Sequence, residues 1–501
     1  MERASGVLMH ITSLPNRYGI GSFGEIAYKF VDFLTETKQT YWQILPLTTT
    51  SYGDSPYQSF SAFAGNTHLI DLDQLIADGL LVEDDVESLA EGNNLDTIDY
   101  AKVFRERRPV LEKAVKAFID QGKKQSKDYQ DFLTTENEWL QPFVEYMSIK
   151  ENFALKAWYE WPDEYKFYNT DIVNAYLADH PFLADYHRIT QFLFYKQWLR
   201  LKQYANDHHI QIIGDMPIYV SADSVEMWRT PEMFKVDENL NPIDVSGCPP
   251  DAFTSEGQYW GNPIYDWEYM AENNYSWWIK RIKASLNLYD VVRIDHFRGF
   301  ESYWAIPFGS PTAAYGRWEK GPDYALFEAI HKALGDVNII AEDLGFMTDE
   351  VIELREKTGF PGMKILQFGF SNDPENTDLP HYYTENTIAY VGTHDNETAE
   401  GWYMDSADSN QQKQADNYLH RHPGESISYA MNRGIAESVS HLAIYQMQDL
   451  LHLDNRARMN IPSTIGNNWK WRMRTDAITP FIKNELLYLT ETYYRMNNKM
   501  N

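Results

Sequence analysis

Cysteine is nearly absent from this chain of 501 residues: Cys248 stands alone, so no intrachain disulfide can form. A reducing compartment is therefore permitted, and a disulfide-stapled scaffold is excluded. Positive charge is also scarce. With 44 Lys and Arg against 73 Asp and Glu, the formal net charge is −29. Such a surface repels nucleic acid and anionic membranes and suits neutral or cationic ligands. No apolar run is long enough to span a bilayer, and no signal-peptide pattern, internal repeat or low-complexity tract is evident. The expectation is a cytoplasmic protein with neither nucleic-acid nor membrane partners.

What is present is core material and aromatic rings. Hydrophobic residues make up 43% of the chain and aromatics 15%, with 15 Trp and 34 Tyr. Most of these rings are expected in the core; some suit the apolar faces of sugars. The length fits one large barrel with insertions, or two to three ordinary domains.

Short apolar runs at 7–11, 41–45, 210–213, 291–294, 339–341, 363–367, 388–391 and 443–447 read as strands. Helical patterns separate most of them, beginning with a strand–helix–strand unit in the first 45 residues. Eight strands with helical crossovers predict an α/β fold, a (β/α)8 TIM-type barrel with helical insertions. A doubly wound sheet is the alternative. Residues 1–70 would start the barrel, 71–185 would form a helix-rich inserted subdomain, and 186–501 would complete the barrel. Asp185–Asn206 reads as a long amphipathic helix, and Asp71 and Asp73 as solvated surface. Gly19–Gly24 has G-x-G-x-x-G spacing but does not follow a strand directly, and Glu25 opposes a pyrophosphate. It reads as a substrate-side loop.

The stretch Tyr289–Phe300 concentrates chemistry. Its β-branched strand ends in Arg293, Asp295, His296 and Arg298. Arg293 lies two residues before Asp295, on the same side of the strand, so it should lower the acid's pKa. Two other strand ends carry acids, Ala341-Glu342-Asp343 and Thr393-His394-Asp395. A barrel converges such tips on one mouth. Glycosyl transfer suits the set: one carboxylate attacks the anomeric carbon, and a protonated one roughly 5–5.5 Å away serves the bridging oxygen. A third stabilises the cationic transition state.

Four segments carry a more specific signal: Gly214-Asp215-Met216-Pro217, Arg293-Ile294-Asp295, Ala341-Glu342-Asp343-Leu344-Gly345 and Thr393-His394-Asp395. They resemble the signature regions of the α-amylase clan. With Ser5–Pro15, Gly53–Asn66, Pro249–Asp251, Gly257–Asn262 and Arg458-Met459-Asn460, the chain resembles the amylomaltases (4-α-glucanotransferases, glycoside hydrolase family 77) over its whole length. The resemblance implies Asp295 as nucleophile, Glu342 as acid/base and Asp395 as transition-state stabiliser. It implies Arg293, His394, Asp215, Tyr57, Ser55, Trp260 and Asn468 as substrate-binding residues, with Tyr57 stacking. It further implies a lid loop over 247–262 and a remote glucan site at Tyr52 and Tyr100. No metal or cofactor is implied. Partners would be maltooligosaccharides, starch or glycogen fragments, and glucose as acceptor. Cys248 and the placement of Glu256 depart from the family's lid pattern.

The neighbouring residues read structurally: Asp343 as a salt-bridge partner, His296 as a core or supporting histidine, and Trp277-Trp278 as core. His10 touches the sugar site only if its strand faces the mouth. A zinc hydrolase using the pairs 295–296 and 394–395 is one alternative. An α-1,4-glucan hydrolase of the same clan is the nearer one. Both routes share the covalent intermediate and differ in what attacks it.

Overall fold

In this computed structural model, residues 2–50, 52–250, 255–371, 373 and 376–497 are described, Tyr52 by its backbone only. All eight expected strands form. They are β1 (Ala4–Leu8), β2 (Tyr41–Gln43), β3 (Gln211–Met216), β4 (Val291–Ile294), β5 (Ile339–Ala341), β6 (Gly362–Ile365), β7 (Thr387–Tyr390) and β8 (Leu442–Gln446). All pairings are parallel, in the order β6-β7-β8-β1-β2-β3-β4-β5. The ends of that order meet. The Ala341 N–H donates to the Pro361 carbonyl at 3.0 Å, and the Met363 N–H donates to Asp343 Oδ1 at 2.6 Å. Asp343 also faces Arg355 at 3.4 Å, so its role is closing the barrel seam.

Alternation along the strands sorts the core into two layers. Ile213, Val291, Ile340, Met363, Ile388 and Ile444 fill the barrel, while Trp42, Ile212, Val292, Ile339 and Tyr445 pack outward against helices. Asp215 shares its parity with Ile213, and Arg293 and Asp295 share theirs with Val291. The barrel interior therefore ends upward in charge. Gly214 faces the other way, where an added Cβ would lie 2.1 Å from the Tyr289 ring, so only glycine fits there.

β1 sits three residues earlier than expected. Ala4, Ser5 and Gly6 have weak strand propensity, but small residues are what this edge accepts. Gly6 lies so close to Tyr41 that a Cβ would come within 2.6 Å. The apolar run beyond Leu8 turns instead into a 3-10 helix at Ile11–Ser13, taking His10 off the strand.

Between β2 and β3 the chain is helical, including Tyr100–Asp120 and Lys127–Asn152, and ends in the 27-residue helix Pro181–Asp207. That helix runs through position 185, so the insert passes into the barrel without a linker. Asp71 is not solvated: it is buried, caps the helix Leu72–Ala77 through the Gln74 N–H, and accepts from the Ser22 hydroxyl. Both flanks of the expected lid, residues 247–262, are strand. Strands Asp244–Cys248 and Gln258–Pro263 join Ser302–Pro307 and Arg317–Lys320 in an antiparallel sheet, while residues 251–254 lie outside the described residues.

A buried ion pair fastens the insert to the barrel. Lys150, fully buried, places Nζ 2.6 Å from Asp223 on the loop after β3 and 4.8 Å from the Phe60 ring centre. The Tyr146 hydroxyl donates to the same carboxylate at 2.6 Å. Removing one partner leaves the other charge buried and uncompensated, at about 3–5 kcal/mol. Asp223→Ala is therefore expected to lower the thermal unfolding midpoint markedly, and adding Lys150→Met to recover part of it in the same calorimetric scan.

Candidate active site

The floor of the site is a buried ion pair set by strand register. Asp215 on β3 is the direct neighbour of Arg293 on β4. One guanidinium nitrogen, Nη1, donates to both Asp215 oxygens at 2.8 Å and lies 3.1 Å from Asp295 Oδ1. Arg293 and Asp215 are 3% and 0% exposed in their side chains, while Asp295 is 31% exposed and faces the cleft. The expected effect of Arg293 on Asp295 is present but does not win. Burial raises the Asp295 pKa, Arg293 opposes this, and Asp215 and Asp395 add to the rise, leaving it at about 6.

Glu342 follows β5. The His296 N–H donates to Oε2 at 2.6 Å and the Leu344 N–H to Oε1 at 3.1 Å. Burial first, then the negative charge of Asp295, raises its pKa to about 8. The two carboxyls thus hold one proton between them near neutrality, and Glu342 keeps it. His296 reaches this position with φ of +54°, a left-handed conformation uncommon for non-glycine residues. Its ring meets Trp260 edge-on, with centroids 4.7 Å apart.

Asp395, after β7, is 43% exposed and opens to the same cleft. Burial pulls its pKa upward. His394 Nε2 at 3.3 Å and the Asn460 amide, donating to Oδ1 at 2.6 Å, more than offset this and hold it below the ordinary carboxylate range. The Arg458 guanidinium donates to the Asp395 carbonyl at 2.8 Å. Tyr57 stacks on His394 at 5.2 Å and 16°, and its hydroxyl donates to Asp215 at 2.7 Å. Ser55 holds the turn that presents it, accepting the Tyr57 N–H at 3.2 Å. Trp469 braces both rings from behind, at 5.7 and 5.8 Å.

Asp215, Arg293, Asp295, Glu342, His394, Asp395 and Tyr57 are therefore together, with Trp260 beside them through His296. Two expected placements differ. Asn468 uses its amide within its own loop, donating to Thr464 and accepting from the Ile461 N–H. Tyr100 is 7% exposed and cannot offer a face to a glucan. Its hydroxyl donates to the Trp469 carbonyl at 2.8 Å and so supports the aromatic stack. The Tyr52 side chain lies outside the described residues. His10 sits behind His394, buried, its Nδ1 accepting the Leu45 N–H at 3.2 Å. Asn460, in the stretch Arg458-Met459-Asn460, contacts Asp395 directly, although the sequence assigned that stretch no role. The zinc reading needed the pairs 295–296 and 394–395 to share a metal, and among the described residues no group of three or more His, Cys, Asp or Glu is placed to hold one.

A barrel whose strand ends gather three carboxyls over a buried Arg–Asp pair suits an enzyme that breaks and remakes glycosidic bonds. The family profile described as 4-alpha-glucanotransferase matches residues 9–478. The chain is 56% identical to the 4-alpha-glucanotransferase of Streptococcus pneumoniae, covering 100% of this chain and 99% of that one. It is 46% identical to that of Clostridium butyricum, over 97% and 100%. The structure of the amylomaltase from Streptococcus agalactiae in complex with acarbose superposes with a TM-score of 0.96 at 50% identity, over 99% and 100% of the two chains. The chain belongs to the 4-alpha-glucanotransferase family, glycoside hydrolase family 77, and is an enzyme of that activity.

The backbone and ring of His296 are separable. Asn tolerates the left-handed region and keeps the N–H to Glu342, whereas a β-branched residue does not. His296→Asn is expected to lower kcat/KM on maltotriose by less than about tenfold, and His296→Val by about a hundredfold or more.

Proposed function

We propose that Asp295 is the nucleophile, Glu342 the acid/base and Asp395 the stabiliser of a retaining double displacement. The observation that carries this reading is geometric: Asp295 meets Arg293 from the cleft while Glu342, at the neighbouring strand end, is held by two backbone N–H groups. Asp295 attacks the anomeric carbon as Glu342 gives its proton to the bridging oxygen, and the reducing-end part of the donor leaves. Glu342, now a carboxylate, takes the proton of an acceptor 4-OH. That oxygen attacks the same carbon and releases Asp295. Asp395, drawn to low pKa, stays negative throughout and stabilises the cationic transition state.

Tyr57 supplies a stacking face, Asp215 and His394 hold hydroxyls of the cleaved sugar, and Arg293 keeps Asp295 aimed and ionised. Ser55 positions Tyr57, and Trp260 closes the acceptor side. Donors are maltooligosaccharides or fragments of starch or glycogen, and acceptors are glucans or glucose. The S. agalactiae complex with acarbose supports an oligosaccharide ligand. No cofactor is needed for either half-reaction. A single cysteine and the lack, among the described residues, of a helix able to cross a membrane support placing the enzyme in the cytoplasm.

Incubation with maltotriose is expected to yield glucose and a ladder of longer maltodextrins. Products no longer than the substrate would instead mean hydrolysis. Asp295→Asn should lower the rate by about a thousandfold or more, and full activity in that variant would reject the covalent route.

The pH dependence has a fixed sign. The nucleophile works ionised, so kcat/KM rises with pH through about 6 as Asp295 loses its proton. The acid works protonated, so kcat/KM falls through about 8 as Glu342 loses its own. A bell with those limbs is expected. Glu342→Gln should lose the alkaline limb when assayed on a donor with a fluoride leaving group, which needs no acid.

A further inference from the structure

Past Glu342 the chain carries Phe346 outward, 65% exposed. Its ring lies nearly parallel to that of Trp318, with centroids 6.4 Å apart at 21°, and Trp318 is itself 39% exposed. Neither ring is loose. Arg298, buried on the turn that follows Asp295, places its guanidinium carbon 3.9 Å from the Trp318 ring centre. The same group donates to the Phe346 carbonyl and, at 3.0 Å, to the Ser302 hydroxyl. Trp304 packs its edge on Trp318 at 5.2 Å and 69°, and is pinned by donating to the Ala313 carbonyl at 2.8 Å. A buried cation thus fixes two aromatic rings toward solvent, one of them on the loop that carries Glu342. Holding large rings in water is unfavourable, and a contiguous pair of exposed rings, one of them four residues beyond Glu342, marks a ligand surface.

The chemistry says which part of the ligand. Tyr57 and the pair His394–Asp395 come from the loops after β2 and β7 and meet each other. Glu342, which the bridging oxygen must meet, follows β5, the strand paired with the one that carries Asp295. The departing and incoming chains therefore continue past Glu342, along the side where Phe346 and Trp318 stand. This direction rests on Glu342 being the acid/base.

We propose that Trp318 and Phe346 form a stacking platform for the acceptor glucan, receiving glucosyl units beyond the one whose 4-OH attacks. Their ligand is a neutral α-1,4-glucan of several units, continuous with the sugar at Glu342. No bond forms or breaks there. The platform lengthens the acceptor that the glycosyl-enzyme selects.

Trp318→Ala, Phe346→Ala and the double variant test this, with maltotriosyl fluoride as saturating donor. Acceptor KM is measured for glucose and for maltotetraose. The maltotetraose-to-glucose KM ratio is expected to rise about tenfold in the double variant, the scale of one lost stacking contact. An unchanged ratio overturns the proposal, as does an equal loss for both acceptors, which would mean disturbance of Glu342. Solution mass is measured in parallel. A dimer that dissociates in the variants with the ratio unchanged would assign the patch to self-association and overturn it too. The Glu342→Gln pH profile fails independently if the acid assignment is wrong, so the two failures are distinguishable.

Discussion

Arg293 organises the site because it is the one cation buried between two carboxylates that must differ in exposure. Asp215 holds it from below with two contacts and Asp295 meets it from the cleft side. Buried ion pairs are weak sources of stability, since desolvation offsets much of the attraction. What this one supplies is geometry. Strand register sets Asp215 opposite Arg293, and strand parity sets Arg293 beneath Asp295. With Glu342 protonated, the carboxylates of Asp215, Asp295 and Asp395 face Arg293 and the His394 ring, whose pKa burial lowers and Asp395 raises, with a net upward shift. The residual negative charge sits where an oxocarbenium-like centre develops, so it favours the transition state over the neutral sugar.

The barrel was legible because its strands are mostly short apolar runs, several of them β-branched, closed by charge or turn residues, a pattern that survives without tertiary information. The failure at β1 has a local cause. Ala4, Ser5 and Gly6 are strand residues because a neighbour demands small side chains, and the neighbour is not visible from the run itself. The ionisation of Asp295 failed for a similar reason. An Arg two residues away can be read along a strand, but the burial and the charges of Asp215 and Asp395 come from other strands. Contacts between distant segments were equally hidden. Tyr100 looked available to a glucan until position 469 was seen above its hydroxyl, and Asn460 reaches an aspartate 65 residues earlier in the chain.

Those distant contacts also explain why the two ends of the cleft differ. On the side of Asp395, aromatic rings are stacked in depth. Tyr57 lies on His394, Trp469 backs both, and Tyr100 holds the Trp469 backbone in its left-handed turn. Each layer removes freedom from the one in front, which suits a subsite that must hold a sugar in a distorted shape while a bond breaks. On the side of Glu342 the rings are partly exposed. Trp260 rests its ring on His296, and Trp318 and Phe346 rest on Arg298.

That asymmetry follows from what a transferase must do twice. After the first displacement the glycosyl unit stays bound to Asp295, so the donor wall gains from rigidity. The acceptor wall must release one chain and admit another before water reaches the same carbon. Water and a sugar hydroxyl are similar nucleophiles, and on the proposed assignment Glu342 deprotonates either one. The preference therefore has to come from binding: a glucan that stacks near Glu342 brings its 4-OH at high effective concentration, while water gains nothing from an aromatic face. On the proposed reading, exposed rings beside Glu342 are the form that requirement takes, since a fully enclosed wall would bind the departing chain too well to let it exchange.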